Sequence, residues 1–301
     1  STSTSPMTAT FRSGFVAIVG RPNVGKSTFL NTVLETKISI TASKPQTTRD
    51  KILGIYDVED AQIIFMDTPG IHTHTADKAL NRYMVEKAIT TIADADVVLV
   101  MAEPSDTPGS LAEVTGHLEG SGRDAVLALN KVDLMRPVDV VPKLDALGGT
   151  YGYRGVFPVS SLTGIGVPGL VDALKGMLPE GPRYFPEDMI TDATGRFLSQ
   201  EIVREKGFVL TQREIPYATA VEVEEFREGE PTFIRAVIHV ERPSQKKILI
   251  GAGGRMLKEI GKEARIDIER LLGTKVFLEL FVKVTKDWSK RPGSLRELGY
   301  R

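Results

Sequence analysis

Short continuous apolar runs alternate with longer amphipathic stretches over the first 180 residues. The runs lie at 15–19, 63–66, 97–101, 125–129 and 156–159. Continuous apolar runs are typical of strands that are buried on both faces, as in a parallel sheet covered by helices. Between the second and third runs, Leu80, Met84, Ala88 and Ile92 are four residues apart and predict one face of a helix. The pattern therefore predicts an α/β domain, with a mostly parallel sheet and helices on both faces.

The pattern changes after a cluster of Pro179, Gly181, Pro182 and Pro186, where neither helix nor strand continues easily. Beyond it we predict a helix at 196–206, alternating strands at 218–224 and 234–240, a long helix with its apolar stripe at 257–271, and a strand at 275–284. We therefore expect a flexible tail at 1–13, the α/β domain at 14–180, a linker at 181–194, and an α+β domain with a C-terminal tail at 195–301.

Composition excludes several classes of protein. With 301 residues and 41% hydrophobic content, the chain can fill about two domain cores. It has no cysteine, which excludes disulfide bonds, thiolate metal sites and cysteine nucleophiles. Its apolar stretches are far shorter than the roughly twenty residues of a membrane helix, and residues 1–10 do not resemble a secretory signal. We expect a soluble, cytoplasmic protein.

Charge is distributed unevenly, although the formal net charge is only −1. Residues 1–181 carry −4, residues 182–241 carry −5 and residues 242–301 carry +8. A basic region at one end of an acidic chain indicates a nucleic-acid or anionic-membrane partner. A solvated basic surface without any partner would show the same charge.

A phosphate-binding motif follows the first apolar run. Residues 20–27 match G-x-x-x-x-G-K-[ST] and open a predicted helix at 28–34. Its glycines let backbone N–H groups close around phosphate oxygens, and the helix N-terminus adds partial positive charge. Lys26 would reach the β and γ phosphates, and Ser27 would ligate Mg²⁺. The predicted nucleotide contacts are Asn23, Val24, Gly25, Lys26, Ser27 and Thr28.

A second motif, D-x-x-G at 67–70, follows the apolar run at 63–66. Asp67 can hold Mg²⁺ through a water, and the N–H of Gly70 can bond the γ phosphate. The D-x-x-G spacing alone is usually a turn. Its position at a strand end, in order after the phosphate motif, supports the functional interpretation.

A third motif, N-K-V-D at 130–133, resembles the guanine-reading N-K-x-D of the GTPases. A buried carboxylate at Asp133 can accept from the N1–H and N2–H groups of guanine, whereas adenine offers neither in that geometry. Leaving this carboxylate unpaired would discriminate against ATP by about 10⁴. The sequence at 160–162 resembles the S-A-[LK] loop of the family, which offers a backbone N–H to guanine O6. The predicted guanine contacts are Asn130, Lys131, Asp133, Ser160, Ser161 and Leu162.

The loop between the first two motifs contains Q-T-T-R at 46–49. In the GTPase family a threonine of this loop ligates Mg²⁺ in the GTP state; the resemblance favours Thr48, and Thr47 is the alternative. The γ phosphate and Mg²⁺ would order the loop, and hydrolysis would release it. The predicted metal ligands are Ser27, Thr48 and Asp67, and the predicted catalytic residues are Lys26, Thr48 and Gly70.

Ile71 stands where many GTPases carry the glutamine that orients the attacking water. Its side chain has no donor or acceptor, so we predict slow intrinsic hydrolysis, on the order of 10⁻³ per second or below. Asn23 resembles the asparagine of relatives that use K⁺ in place of an arginine finger, which makes K⁺ a candidate cofactor. His72 and His74 are weaker candidates for a general base, because histidines in polar loops are usually solvated.

A G-x-x-G sequence at 251–254 precedes the long predicted helix. With the order helix, strand, strand, turn, helix, strand, it resembles a type II KH domain, which implies a further short helix at 244–250. In that fold the glycine loop clamps about four single-stranded nucleotides. The predicted RNA contacts are the loop residues Gly251, Ala252, Gly253 and Gly254, the cations Lys246, Lys247, Arg255 and Lys258, and Ile250 in an apolar floor for the bases.

The motifs together resemble the Era family of bacterial GTPases. They are P-N-V-G-K-S-T at 22–28, Q-T-T-R at 46–49, D-T-P-G at 67–70, N-K-V-D at 130–133 and L-R-E-L-G-Y at 295–300. The resemblance covers nearly all of the chain after residue 13. It implies a Mg²⁺-dependent GTP-hydrolysing switch that binds the single-stranded 3′ end of 16S rRNA and acts in assembly of the small (30S) ribosomal subunit. It also implies loose association with the inner face of the cell membrane, and we expect a monomer.

Two other interpretations remain open. The nucleotide could be a structural ligand of an RNA-binding scaffold in which hydrolysis is not required. The presence of Lys26, Ser27, Thr48 and Asp67 favours the switch over this scaffold. An ATP-driven metabolic enzyme is disfavoured by Asp133.

Overall fold

The computed structural model describes residues 10–39, 49, 51–71, 79–211 and 219–298. These residues form one sheet of six strands and one sheet of three strands. Each sheet packs with its own consecutive group of helices, so both predicted architectures are confirmed. None of the helices in these ranges is long and apolar enough to cross a membrane.

Five of the six strands of the larger sheet correspond to the predicted apolar runs. The strands are β1 (Arg12–Gly20), β2 (Ile52–Val58), β3 (Ala61–Asp67), β4 (Val97–Ala102), β5 (Asp124–Leu129) and β6 (Val156–Pro158). Their order is β2-β3-β1-β4-β5-β6, and only β2 runs antiparallel to its neighbour. The hydrophobic pattern misses β2 because Gly54 interrupts it. A Cβ at Gly54 would lie 2.5 Å from Leu30 Cδ1, so close packing of the helix at 26–33 selects glycine there.

Helices cover both faces of this sheet. They are α1 (Lys26–Val33), α2 (Ala79–Asp94), α3 (Pro108–Thr115), α4 (Pro137–Gly148) and α5 (Val167–Met177). Phe29 of α1 and Leu170 of α5 belong to the core on one face. Ile92, Leu111 and Leu147 of the other three helices belong to the core on the opposite face. Burial on two faces explains why the strands are continuously apolar.

The predicted apolar face of α2 is buried, but it contacts two different cores. Ala88 and Ile92 pack against the six-stranded sheet. Leu80 and Met84 instead pack with Trp288, Leu295 and Leu298 near the C-terminus. One half of this helix therefore stabilises the contact between the two domains.

The termini of the first domain differ from the predicted tail and linker. β1 begins at Arg12, inside the tail predicted at 1–13, and residues 12 and 13 pair with residues 61 and 62 of β3. The segment 181–194 lies against β2 and β3, where the N–H groups of Tyr184 and Phe185 donate to Gln62 Oε1 at 2.8 and 3.0 Å. The N–H of Ile55 donates to the carbonyl of Ile190 at 2.9 Å. The divisions at 180 and 194 stay predictions.

The smaller sheet has the order β7-β8-β9, with β8 and β9 parallel and β7 antiparallel. The elements are α6 (Gly195–Leu210), β7 (Thr219–Arg227), β8 (Thr232–Val240), α7 (Pro243–Ile250), α8 (Arg255–Leu272), β9 (Val276–Val284) and α9 (Pro292–Glu297). Helix α7 is the short helix that the KH resemblance implies. In α8, Ile260, Ala264 and Ile268 are spaced four apart and are buried in the core of this domain, as the stripe at 257–271 predicts.

Candidate nucleotide and nucleic-acid sites

The loop between β1 and α1 is shaped by glycines that have no room for a side chain. Gly25 caps α1 with φ at 101°, a left-handed conformation that favours glycine. A Cβ on Gly25 would lie 2.2 Å from Asn130 Nδ2, and a Cβ on Gly70 would lie 2.7 Å from the nitrogen of Pro22. Among the described residues, no side chain caps the N-terminus of α1. The positive N-terminal end of α1 therefore faces this loop, where an anion would be stabilised.

Lys26 is buried at the start of α1. Its Nζ donates to the carbonyl oxygens of Gly20 at 3.1 Å and Arg21 at 2.9 Å. Burial lowers the pKa of Lys26 to about 8, and the carboxylates of Asp67 and Asp106 offset only part of that effect. Phosphate oxygens would give this ammonium group stronger, charge-assisted hydrogen bonds than two carbonyls do.

Ser27 and Asp67 converge on one point beside the phosphate loop. Ser27 Oγ donates to Asp67 Oδ2 at 2.7 Å, and Ser39 Oγ donates to the same oxygen at 2.6 Å. All three side chains are buried. Hydroxyl and carboxylate oxygens are the ligands that Mg²⁺ prefers, so these residues fit a magnesium site. The residues Thr47, Thr48, His72 and His74 lie outside the described part of the chain.

Gly70 and Ile71 lie directly against the phosphate loop. The N–H of Ile71 donates to the carbonyl of Gly20 at 3.1 Å. The side chain of Ile71 is fully buried in the core with Leu53 and Ile64. It therefore stabilises the sheet and cannot orient a water at the phosphates.

Asn130 connects the three loops that would surround a nucleotide. Its Nδ2 donates to the carbonyl of Val24 at 2.7 Å, and its Oδ1 accepts from the N–H and Oγ of Ser161 at 2.8 and 2.9 Å. Lys131 adds a second connection, because its Nζ donates to the carbonyl of Asn23 at 2.7 Å and to the Glu103 carboxylate. The guanine motif is therefore tied directly to the phosphate loop.

Asp133 lies in a short 3₁₀ turn after β5, and its side chain is exposed. The sequence predicts a buried carboxylate at this position, but Asp133 is exposed in the protein without nucleotide. In the neighbouring loop Ser160 and Ser161 are buried and Leu162 is 80% exposed. The N–H groups at 160, 161, 163 and 164 all donate within the chain. Within the described residues, the N–H of Leu162 is thus the donor of this loop that remains for guanine O6.

The G-x-x-G loop of the second domain has a different geometry. Gly251, Gly253 and Gly254 all have positive φ, at 70°, 60° and 77°. A Cβ on Gly251 would lie 2.7 Å from Met256 Cβ. A Cβ on Gly253 or Gly254 would meet no atom of the described chain within 4 Å. Ala252 is exposed, so the backbone of this loop is accessible to a partner.

The predicted RNA contacts lie together on α7, the glycine loop and α8. Lys247, Arg255 and Lys258 are exposed, and Lys246 is half-buried. Ile250 is half-buried against the domain core, where it can present an apolar surface. The arrangement places cations on both sides of an accessible backbone loop, as a phosphate clamp requires.

Sequence reasoning missed Ser39, which donates to the predicted metal ligand Asp67 at 2.6 Å, and Asn31, whose side chain holds the backbone of Ile38 and Ser39. No motif includes them. The signal in the sequence is a polar Asn31 on the helix that follows the phosphate loop. Its partners are determined by the path of the chain after that helix.

Known proteins match both domains. A family model described as a 50S ribosome-binding GTPase matches residues 15–131, and a KH domain model matches residues 214–289. GTPase Era of Geobacter metallireducens is 52% identical over 294 residues, which cover 96% of this chain and 98% of the relative.

Two solved structures match almost the whole chain. One is an Era variant from Aquifex aeolicus bound to GDP and AlF4⁻, with 40% identity and a TM-score of 0.93 over 96% of this chain and 99% of that chain. The other is Era in complex with MgGDPNP and nucleotides 1506–1542 of 16S ribosomal RNA, with 41% identity and the same TM-score and coverage. Such a score over both domains requires that their relative arrangement is similar. The chain belongs to the Era family of GTPases.

Proposed function

We propose that this protein is a GTP-hydrolysing switch that binds the single-stranded 3′ end of 16S rRNA and acts in assembly of the 30S ribosomal subunit. The main observation behind this proposal is that Asn130 hydrogen-bonds both the phosphate-binding loop, at Val24, and the loop at Ser161 beside the proposed guanine site. The same chain also has an accessible G-x-x-G loop. The solved Era complex with MgGDPNP and a 16S rRNA fragment supports the pairing of these two ligands.

The phosphate groups would be held by the first N–H groups of α1 and by Lys26. Ser27 and Asp67 would hold Mg²⁺, with Thr48 as the further ligand that the family resemblance implies. Bound Mg²⁺ supplies positive charge at the β and γ phosphates. Gly70 would bring its N–H to the γ phosphate, because its lack of a side chain permits close contact with Pro22.

The guanine base would be read by Asp133 and by the backbone at Leu162. Asp133 accepts from two donors of guanine, and the Leu162 N–H donates to O6. Asn130 is a positioning residue, since its bonds join the loops that carry both groups. The base itself would cover the exposed Asp133, which accounts for discrimination against adenine.

Hydrolysis would be slow without a partner, because Ile71 is buried and offers no polar atom to the attacking water. Asn23, whose φ is 66° at the phosphate loop, is proposed to hold K⁺ there. Hydrolysis measured in K⁺ and in Na⁺ tests this role. Equal rates in the two salts would remove K⁺ from the proposal.

The RNA strand would lie against the glycine loop, with phosphates at Lys247, Arg255 and Lys258 and bases over Ile250. Glycines at the contact let the sugar-phosphate chain approach the backbone. Substitution of both Gly253 and Gly254 by Asp adds two negative charges and two side chains. RNA binding should then be lost while GTP affinity stays unchanged.

The deciding experiment is RNA affinity in three nucleotide states. Filter binding of a short RNA with the 16S 3′-end sequence is measured with a GTP analogue, with GDP and without nucleotide. A switch requires different affinities, since a ligand that binds two states equally shifts nothing. Equal affinities in all three states would favour the nucleotide-stabilised scaffold instead.

We also propose that the chain acts as a cytoplasmic monomer with loose attachment to the inner face of the cell membrane. The support is the family resemblance and the charge of +8 on residues 242–301. Sedimentation with anionic vesicles at low and high salt tests the attachment. Sedimentation equilibrium of the full chain tests the monomer.

A further inference from the structure

The residues Lys37, Ile38 and Ser39, which we call the strap, connect the metal site to the KH domain. At one end, Ser39 Oγ donates to Asp67 Oδ2 at 2.6 Å, the oxygen that also accepts from Ser27. Ser39 is only 2% exposed. A donor that contacts a metal-binding carboxylate orients it, and loss of such a contact typically weakens metal affinity about 10- to 100-fold.

Asn31 of α1 holds the strap as one unit. Its Oδ1 accepts from the N–H groups of Ile38 and Ser39, both at 3.0 Å, and its Nδ2 donates to the carbonyl of Ser39 at 2.8 Å. With both amides of consecutive residues on one oxygen, the strap has little freedom to bend between its two ends. Lys37 is the residue directly before this fixed pair, so a displacement of its backbone would act on the Ser39 contact.

At its other end the strap contacts two helices of the KH domain. Lys37 Nζ lies 2.5 Å from Glu205 Oε2 on α6 and 3.0 Å from Asp267 Oδ2 on α8. Glu205 is 2% exposed, whereas the Lys37 side chain is 37% exposed, so the carboxylate side of this ion pair is buried and the ammonium side is partly solvated. Burial acts to lower the pKa of Lys37, but the hydrogen bonds and charges of Glu205 and Asp267 outweigh it and raise this pKa. Lys37 stays charged near neutral pH.

A second contact between the loop region and the KH domain lies at Arg49. Its guanidinium donates to the carbonyl of Thr219 at 2.7 Å and lies over the rings of Phe208 and Trp288, at 5.8 and 5.5 Å. Arg49 is 1% exposed. The described residues that flank positions 40–48, Lys37 on one side and Arg49 on the other, thus both contact the KH domain.

We propose that the strap makes the Mg²⁺ site sensitive to the position of the KH domain, with Lys37, Asn31 and Glu205 as positioning residues for the GTPase reaction. The proposal rests on the function proposed above and adds the physical connection between its two sites. Because coupling between sites is reciprocal, a KH domain that holds Lys37 in place tightens Mg²⁺ binding, and Mg²⁺ stabilises that arrangement of the domains.

The test is the apparent Mg²⁺ affinity of the full chain, measured as the Mg²⁺ concentration that halves the release rate of a fluorescent GDP analogue. Ser39→Ala should weaken this affinity about tenfold. Lys37→Met and Glu205→Gln should each weaken it roughly threefold to tenfold. The double variant Lys37→Met/Glu205→Gln should bind Mg²⁺ no more weakly than either single variant, because both substitutions remove the same ion pair.

Lys206→Met is the matched control. Lys206 Nζ lies 2.7 Å from the same Asp267 carboxylate, but both residues belong to the KH domain. This variant should leave Mg²⁺ affinity within twofold of the wild type. Thermal unfolding of each variant identifies any loss of folding, and Asn31→Ala provides a further change on the nucleotide side that should match Ser39→Ala.

Unchanged Mg²⁺ affinity in both Lys37→Met and Glu205→Gln would contradict the proposed coupling through the strap. A loss of Mg²⁺ affinity in Lys206→Met as large as in these two variants would also contradict it. These outcomes leave the proposed function standing if the wild type still binds guanine nucleotide and RNA. A wild type that binds no guanine nucleotide would instead refute the proposed function.

Discussion

The loops at 20–25 and 251–254 both precede a helix and are both proposed to bind phosphate groups, yet their glycines have different surroundings. A Cβ on Gly20 or Gly25 would lie 2.5 Å or less from a neighbouring atom. A Cβ on Gly253 or Gly254 would meet no described atom within 4 Å. The nucleotide loop is therefore a rigid, preformed cradle, while half of the RNA loop is free to adapt to its ligand.

The two sites also differ in how they would recognise a base. The proposed nucleotide site would use the carboxylate of Asp133, which lies beside loops that Asn130 joins. The proposed RNA site would offer backbone groups, cations and one apolar residue, Ile250. Selectivity for one base should thus be high at the first site and low at the second.

Asp133→Asn should produce the largest effect. The amide no longer accepts from both guanine donors, so GTP affinity should fall by about 10⁴. Xanthine nucleotides should be preferred, since their 2-oxo group can accept from the new amide. Calorimetry with GTP and XTP measures both changes, and RNA affinity is the internal control. Retained preference for guanine would show that Asp133 does not read the base.

Gly25→Ala and Gly253→Ala compare the two loops directly. Alanine at position 25 would have both a strained left-handed backbone and a steric clash with Asn130. Each of these two effects costs about 1–3 kcal/mol. GTP affinity should fall roughly 100-fold. At Gly253 only the backbone strain remains, about 1–2 kcal/mol, so RNA affinity should fall roughly tenfold.

Both substitutions are measured by nucleotide and RNA titration, together with thermal unfolding of the free chain. The reverse ranking, with Gly253→Ala the more damaging, would contradict the distinction between a rigid and an adaptable loop.

Lys26 should make GTP binding dependent on pH. Its pKa is about 8 in the free protein and 10.5 in the unfolded chain, so the unfolded chain binds more protons between these values. The free energy of unfolding contributed by Lys26 should therefore rise with pH over that window. Phosphate would raise this pKa again, so GTP binding takes up a proton and should weaken about fourfold by pH 8.5.

Calorimetry at pH 8.5 in two buffers with different ionisation enthalpies measures this proton uptake. Lys26→Arg is the control, because a guanidinium group stays charged over this range. Proton uptake that persists in Lys26→Arg would assign the effect to another group.

Lys258→Ala should have the smallest effect. Lys258 is exposed beside the glycine loop and would contact one phosphate. Its loss should reduce the slope of log affinity against log salt by about 0.7, with little change in base preference. Glu259→Gln, at the adjacent exposed position, is the matched control and should not reduce the slope. If the salt dependence of RNA affinity were unchanged in Lys258→Ala, the RNA phosphates would not contact Lys258.

Local sequence predicts the parts of this protein that follow from short-range rules. The five apolar runs become parallel strands because strands buried on both faces need continuous hydrophobicity. The phosphate motif lies where it should, between β1 and α1, since its glycines and Lys26 act within eight residues of chain.

The same rules fail where a residue's role depends on distant partners. Gly54 interrupts the hydrophobic pattern of β2, so the pattern does not predict this strand. Glycine is needed at this position because Leu30 of α1 packs closely against it. The face of α2 is predicted as one stripe, but Leu80 and Met84 pack on the C-terminal segment. The burial expected for Asp133 is absent because no residue of the short turn after β5 is buried.

The sequence alone determined the two architectures, the nucleotide motifs and the positions of the glycine loops, because each depends on residues close together in the chain. Only the tertiary structure decided that Asn130 joins three loops, that Ser39 donates to Asp67, and that Lys37 pairs with Glu205 and Asp267 of the KH domain. These contacts span up to 230 residues. Side-chain hydrogen bonds over such separations depend on how the domains pack, and no local spacing encodes that packing.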